Sequence, residues 1–135
     1  MERDIKMKML LIDDEPIALT KLELMLTNLG TCHTAVNGVQ ATEHFVQSIE
    51  ENQPYDLVMI DIELPDVTGL ELLNRFCALE QKNGIPPAKK VMVTAHSKVD
   101  YVVKARNRCD AFLVKPIRKA MLLEKIQALT NGPVS

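Results

Sequence analysis

Five short apolar runs, each followed by a longer segment with helical periodicity, constrain this chain more than any other feature. The runs are Lys8–Asp13, Cys32–Val36, Leu57–Asp61, Val91–Thr94 and Ala111–Lys115. Apolar stretches this short, without alternation, suit strands covered on both faces. Between them apolar residues step by three and four: Leu19, Leu22, Met25, Leu26 and Leu29, then Ala41, Phe45 and Ile49, then Leu70, Leu73, Phe76 and Cys77. Val99, Val102 and Val103 make a shorter stripe, and Leu122, Ile126 and Leu129 the last. Each stripe predicts a helix with one buried face. Pro16 sits where a first helical turn accepts proline, and Gly30 follows the last apolar residue of the first helix. Asn37-Gly38 and Asn83-Gly84 predict turns, and Pro86-Pro87 breaks the chain before the fourth strand. The pattern is strand–helix five times over. Parallel strands need such crossovers, so the expected fold is α/β, one parallel sheet between helices. Five strands are few for a closed barrel, which favours an open doubly wound sheet.

The 135 residues suffice for one domain and not two. No uncharged apolar run exceeds strand length, so nothing predicts a membrane span or a secretory signal. Cys32, Cys77 and Cys109 are odd in number and form no Cys-x-x-Cys pair, which points to reduced thiols in a cytoplasmic protein. His33 and His44 lack helical metal-ligand spacing, which leaves them a surface or core role. The glycines form neither a dinucleotide-binding fingerprint nor a phosphate-binding loop of the Walker type.

In doubly wound sheets, ligands bind beyond the carboxyl ends of the strands. Those ends carry Asp13-Asp14-Glu15, Asp61, Thr94 and Lys115-Pro116. Any one of them, like Glu15 or Asp66, could be an ordinary solvated loop residue. Together they bring acids, a hydroxyl and a cation from four strands to one edge. Clustered carboxylates need a cation, and hard oxygen donors without His or Cys suit magnesium. A carboxylate beside such a metal can attack phosphorus, with a lysine neutralising the transferring group.

At these positions the chain resembles the receiver domain of bacterial two-component response regulators. The matching residues are Leu10-Leu11-Ile12-Asp13-Asp14-Glu15-Pro16, the run from Asp61 through Pro65 and Gly69 to Leu72, Val93-Thr94-Ala95-His96, and Ala111-Phe112-Leu113-Val114-Lys115-Pro116. The resemblance covers residues 8–130, leaving 1–7 as an N-terminal extension and 131–135 as a tail. It implies a flavodoxin-like fold, a five-stranded parallel sheet of order 2-1-3-4-5 with five helices. It also implies Asp61 as phosphoacceptor, and Mg2+ held by Asp13, Asp14, Asp61 and the Glu63 carbonyl, with Asp13 acting mostly through water. Lys115 would pair with the phosphoryl oxygens, next to a cis peptide at Pro116. Thr94 would move toward the phosphoryl group, with Ala95 leaving space. Phe112 matches an aromatic that turns inward on activation, although simple core packing would also explain it. Glu63 and His96 would flank the phosphoryl group and affect its lifetime, or be plain loop residues.

The phosphodonor implied is a histidine kinase or a histidine phosphotransfer protein. With 19 residues after Pro116, no attached DNA-binding domain is expected, and the output would be contact with a protein effector. Residues 1–88 hold 6 Lys and Arg against 15 Asp and Glu, whereas residues 89–135 hold 10 against 3. Lys98, Lys104, Arg106, Arg108, Arg118, Lys119 and Lys125 would make a basic partner face on the fourth and fifth predicted helices. Two alternatives compete. One is a small aspartyl-phosphate phosphatase, which would need a substrate lid. The other is the receiver portion of a longer regulator.

Overall fold

A computed structural model describes residues 6–95 and 108–131. Its strands are β1 (Met7–Ile12), β2 (Gly30–Ala35), β3 (Leu57–Asp61), β4 (Lys89–Thr94) and β5 (Ala111–Val114). Its helices are α1 (Pro16–Leu26), α2 (Gly38–Glu50), α3 (Gly69–Asn83) and α4 (Lys119–Asn131), with a 3-10 turn over Thr27–Leu29. The α4 helix is the fifth of the sequence reading. The predicted fourth, with Val99, Val102 and Val103, lies outside the described residues. All pairings are parallel and the order is β2-β1-β3-β4-β5, as the resemblance implies. The order reverses beside β1, so the carboxyl ends of β1 and β3 flank the crevice where such sheets bind ligands.

The strands are apolar throughout because their alternate residues feed two cores. Leu10, Ile12, Val58, Ile60 and Met92 meet Ala41 and Phe45 of α2 and Leu72, Leu73 and Phe76 of α3. Met9, Leu11, Leu57, Met59, Val91, Val93 and Leu113 meet Leu19, Leu22 and Leu26 of α1 and Leu122 and Ile126 of α4. Each fully buried side chain of this size contributes roughly 1.5–3 kcal/mol. Phe45 and Phe76 stack at 4.1 Å between ring centroids, joining α2 to α3 across their shared core.

Helix ends follow local chemistry. Pro16 occupies the first turn of α1, and α3 begins with a capping box in which Thr68 and Glu71 satisfy each other's backbone N–H groups. The α3 helix ends on Gly84 in the left-handed conformation at φ 62°.

Three expectations need correction. The first helix stops at Leu26, and Leu29 lies in the 3-10 turn. Gly30 instead opens β2 at φ 153°, where a Cβ would strike the Met7 backbone. Asn37-Gly38 is not a free turn. Asn37 is the N-cap of α2, its Oδ1 accepting the Gln40 N–H at 2.8 Å. The fourth strand begins two residues early, at Lys89. Lys90 can enter the buried sheet because its Nζ lies 2.6 Å from Glu80 Oε1 and donates to the Ala88 carbonyl at 3.0 Å.

Candidate functional site

Each residue of the acidic edge is delivered by the end of a strand. The Asp13 N–H continues the ladder by donating to the Ala35 carbonyl, and Asp13 Oδ1 accepts the Glu15 N–H at 3.0 Å, turning the chain into α1. Asp61 ends β3 in register with Val93, and its Oδ1 accepts the Glu63 N–H at 3.2 Å. Carboxylate oxygens of Asp13, Asp14 and Asp61 lie within 4.8 Å of one another. Asp13 and Asp61 are buried while Asp14 is exposed, so the cluster has a closed floor and an open mouth.

Lys115 crosses from the end of β5. Its Nζ lies 3.1 Å from Asp61 Oδ2 and 3.2 Å from Asp13 Oδ2, and the peptide joining it to Pro116 is cis. Among the described residues, three carboxylates face one ammonium. Burial, with the Asp13 charge behind it, pushes the Asp61 carboxyl up to about 6, against the pull of Lys115 and the Glu63 N–H. Burial works against the Lys115 ammonium, but the hydrogen bond and charge of Asp61, with Asp13, outweigh it and hold its pKa above the lysine range. The donor set is all oxygen and carries excess negative charge, which fits a hard divalent cation such as magnesium. Among the described residues this is the one acidic or thiol/imidazole cluster suited to a metal.

Thr94 is buried at the end of β4, and its hydroxyl donates to the Ala95 carbonyl at 2.9 Å. Phe112 is half-buried against the core under α2 and α3. Glu63 is exposed, and its backbone forms an antiparallel bridge with Thr68. His96, Lys98, Lys104 and Arg106 lie outside the described residues. Arg108, Arg118 and Lys119 are exposed, and Lys125 is half-buried. Arg108 precedes β5 and Arg118 follows it, so these two cations stand at opposite ends of that strand.

Several residues gain roles that the sequence did not signal. Asp66 is exposed, yet Oδ1 and Oδ2 accept the Gly38 and Val39 N–H groups at 2.7 and 3.0 Å. These bonds, that of Gly38 foremost, hold its carboxyl below the usual range. His33 and His44 are not isolated. Their rings stack at 5.7 Å between centroids, and His33 Nδ1 lies 2.7 Å from the Tyr55 hydroxyl. Nothing in the sequence spacing of these pairs marks them.

A family model described as the response regulator receiver domain matches residues 9–127. The two-component response regulator ORR21 of Oryza sativa subsp. indica is 32% identical over 87% of this chain and 16% of its own length. The sensory transduction protein LytR of Staphylococcus haemolyticus is 30% identical over 93% of this chain and 44% of its own. The chain therefore spans less than half the length of both these curated relatives. Among solved structures, a CheY-like response regulator receiver domain protein from Methanospirillum hungatei JF-1 superposes with a TM-score of 0.75 at 29% identity. It covers 94% of this chain and 95% of that one. A CheY-like receiver domain from Methylobacillus flagellatus gives 0.72 at 27% identity, covering 93% and 99%. Among the described residues no helix is long and apolar enough to cross a membrane.

Proposed function

The chain belongs to the response regulator receiver domain family, and from that premise we propose that Asp61 is its phosphoacceptor. The family is one of phosphoacceptor signalling domains in two-component systems. The observation that carries the reading is the meeting of Asp61, Asp13, Asp14 and Lys115 at the strand-order reversal.

Asp61 Oδ attacks the phosphorus of a phosphohistidine in a histidine kinase or phosphotransfer protein. The P–O bond forms as the P–N bond breaks, and the imidazole leaves with its bonding electrons and takes up a proton. Burial disfavours the Asp61 charge before transfer, and the acyl phosphate that forms moves negative charge outward onto phosphoryl oxygens. Asp13, Asp14 and Asp61, with the Glu63 carbonyl, would hold Mg2+. Once bound, the ion neutralises charge on the transferring group. Lys115, already 3.1 Å from Asp61, supplies a second positive charge to the phosphoryl oxygens. Thr94 exchanges its bond to the Ala95 carbonyl for one to a phosphoryl oxygen, and Phe112, lacking a hydroxyl, follows by packing alone. Glu63 and His96 set the phosphoryl lifetime.

The open mouth beside Asp14 supports a route for the donor. A groove of about 810 Å3 runs from there between α1 and the Lys115–Ile117 segment, lined by Ile17, Lys21, Met25 and Pro116. The output is contact with a protein effector. Its basic face would draw on Arg118 and Lys119 with Lys98, Lys104 and Arg106, and Arg108 would join it only across the length of β5. The setting is cytoplasmic, and the only reactions catalysed are the domain's own phosphorylation and dephosphorylation.

Incubation with acetyl phosphate and Mg2+ tests this reading. Labelled protein should accumulate to about one phosphoryl group per chain at Asp61. Release of many equivalents of phosphate without stable label would instead describe a phosphatase.

A further inference from the structure

The loop between β3 and α3 carries Glu63, and contacts hold it at both its base and its tip. At its base Glu63 bridges Thr68, and the Gly69 N–H donates to the Ile62 carbonyl at 2.7 Å. Gly69 itself has no room for a side chain, since a Cβ would lie 2.7 Å from the Asp61 carbonyl oxygen. The loop is thereby clamped to β3 at its base. Its tip, Leu64–Val67, meets α2 through Asp66 and Val67.

The Asp66 carboxylate gives one acceptor oxygen to each of the first two N–H groups of α2, while Asn37 takes the third. A helix N-terminus left with free N–H groups attracts an anion, and here the anion is a side chain 28 positions further along the chain. Val67 packs so closely on Gly38 that a Cβ at that position would collide with Val67 Cγ1. Two independent contacts, one polar and one steric, thus fix the tip against α2. The Glu63–Thr68 bridge ties the two ends of the loop together at its base.

We propose that Asp66 is a positioning residue for the metal and phosphoryl site, holding the Glu63 backbone in place by tying its loop to the N-terminus of α2. The inference rests on the reading of the Glu63 carbonyl as a metal ligand. It gives Asp66 a task distinct from direct coordination, because its carboxylate is committed to α2.

Calorimetric titration of MgCl2 into the full chain tests this, alongside thermal midpoints in EDTA. Asp66→Ala should weaken magnesium binding about tenfold, the lower end of the loss seen when a group supporting a metal ligand is removed. Asp66→Asn retains one acceptor oxygen and should recover part of that loss. Gly38→Ala, which pushes on Val67 from the α2 side and leaves Asp66 intact, should also weaken binding. Asp14→Ala serves as the control for a lost ligand. If Asp66→Ala binds magnesium as the parent does, or if its thermal midpoint falls while the affinity stays unchanged, Asp66 is only a helix cap and the proposal fails. A parent that binds magnesium no better than Asp14→Ala would overturn the reading of the site together with this one.

Discussion

Two buried groups of charges occupy opposite ends of the same sheet, and they are built on different principles. At the amino end of β4, Glu80 and Lys90 form a closed pair. Glu80 gives one oxygen to Lys90 and the other to the Ala88 N–H, and Lys90 also donates to the Ala88 carbonyl. The pair is neutral, with side chains 5% and 3% exposed. At the carboxyl end, Lys115 is, among the described residues, the one cation paired with the Asp13, Asp14 and Asp61 cluster, and one acid is open to solvent. A balanced and satisfied pair is a structural joint. An unbalanced one is what the proposed metal and phosphoryl site requires. Both exposure and charge count separate them: the Lys115 side chain is 31% exposed and Asp14 is open, and the described acids outnumber the cation they face.

The largest effect is expected at the structural end. Lys90→Ala leaves a buried carboxylate without its partner and should lower stability by about 3–5 kcal/mol in urea unfolding. A loss below about 1 kcal/mol would mean the pair is solvated and the contrast is false. At the functional end ligand should stabilise. Magnesium at 100 times its dissociation constant should raise stability by about 2.7 kcal/mol in the parent, and by much less in Asp14→Ala.

The smallest effect has the opposite sign to the first. In EDTA, Asp61→Asn should raise stability at pH 7, because it removes a charge that the fold disfavours. Folded Asp61 titrates near 6 and the unfolded residue near the ordinary aspartate value, so between them the folded chain binds the extra proton. The parent's deficit should therefore shrink as pH falls from 7 toward about 4. A gap between parent and variant that stays constant across that range would show that Asp61 is not destabilised by its surroundings.

The sheet was legible in the sequence because its strands are buried on both faces, and a run such as Leu57–Asp61 needs no partner to be recognised. The acidic edge was legible for a related reason: Asp13, Asp61, Thr94 and Lys115 each abut such a run, so finding the strands finds the site. Lys90 was passed over because a lysine reads as solvated until Glu80 is known to face it. Asp66 was hidden in the same way, its partners lying 27 and 28 residues away in α2. Gly38 read as a turn because Asn-Gly is a turn signal, and only the approach of Val67 explains why the first residue of a helix should be glycine. Local composition reveals burial. Long-range polar pairing leaves no periodic trace.

Under the proposed function, Asp61 and no other carboxylate takes the phosphoryl group. Treatment of the chain with acetyl phosphate and Mg2+, followed by borohydride reduction and peptide mass mapping, reads this directly, since borohydride converts an acyl phosphate to an alcohol and leaves free carboxylates alone. Homoserine should appear at position 61, dependent on magnesium and absent when phosphodonor is omitted. Homoserine at position 13 or 14 with Asp61 intact, or at none of the three after full treatment, would contradict it.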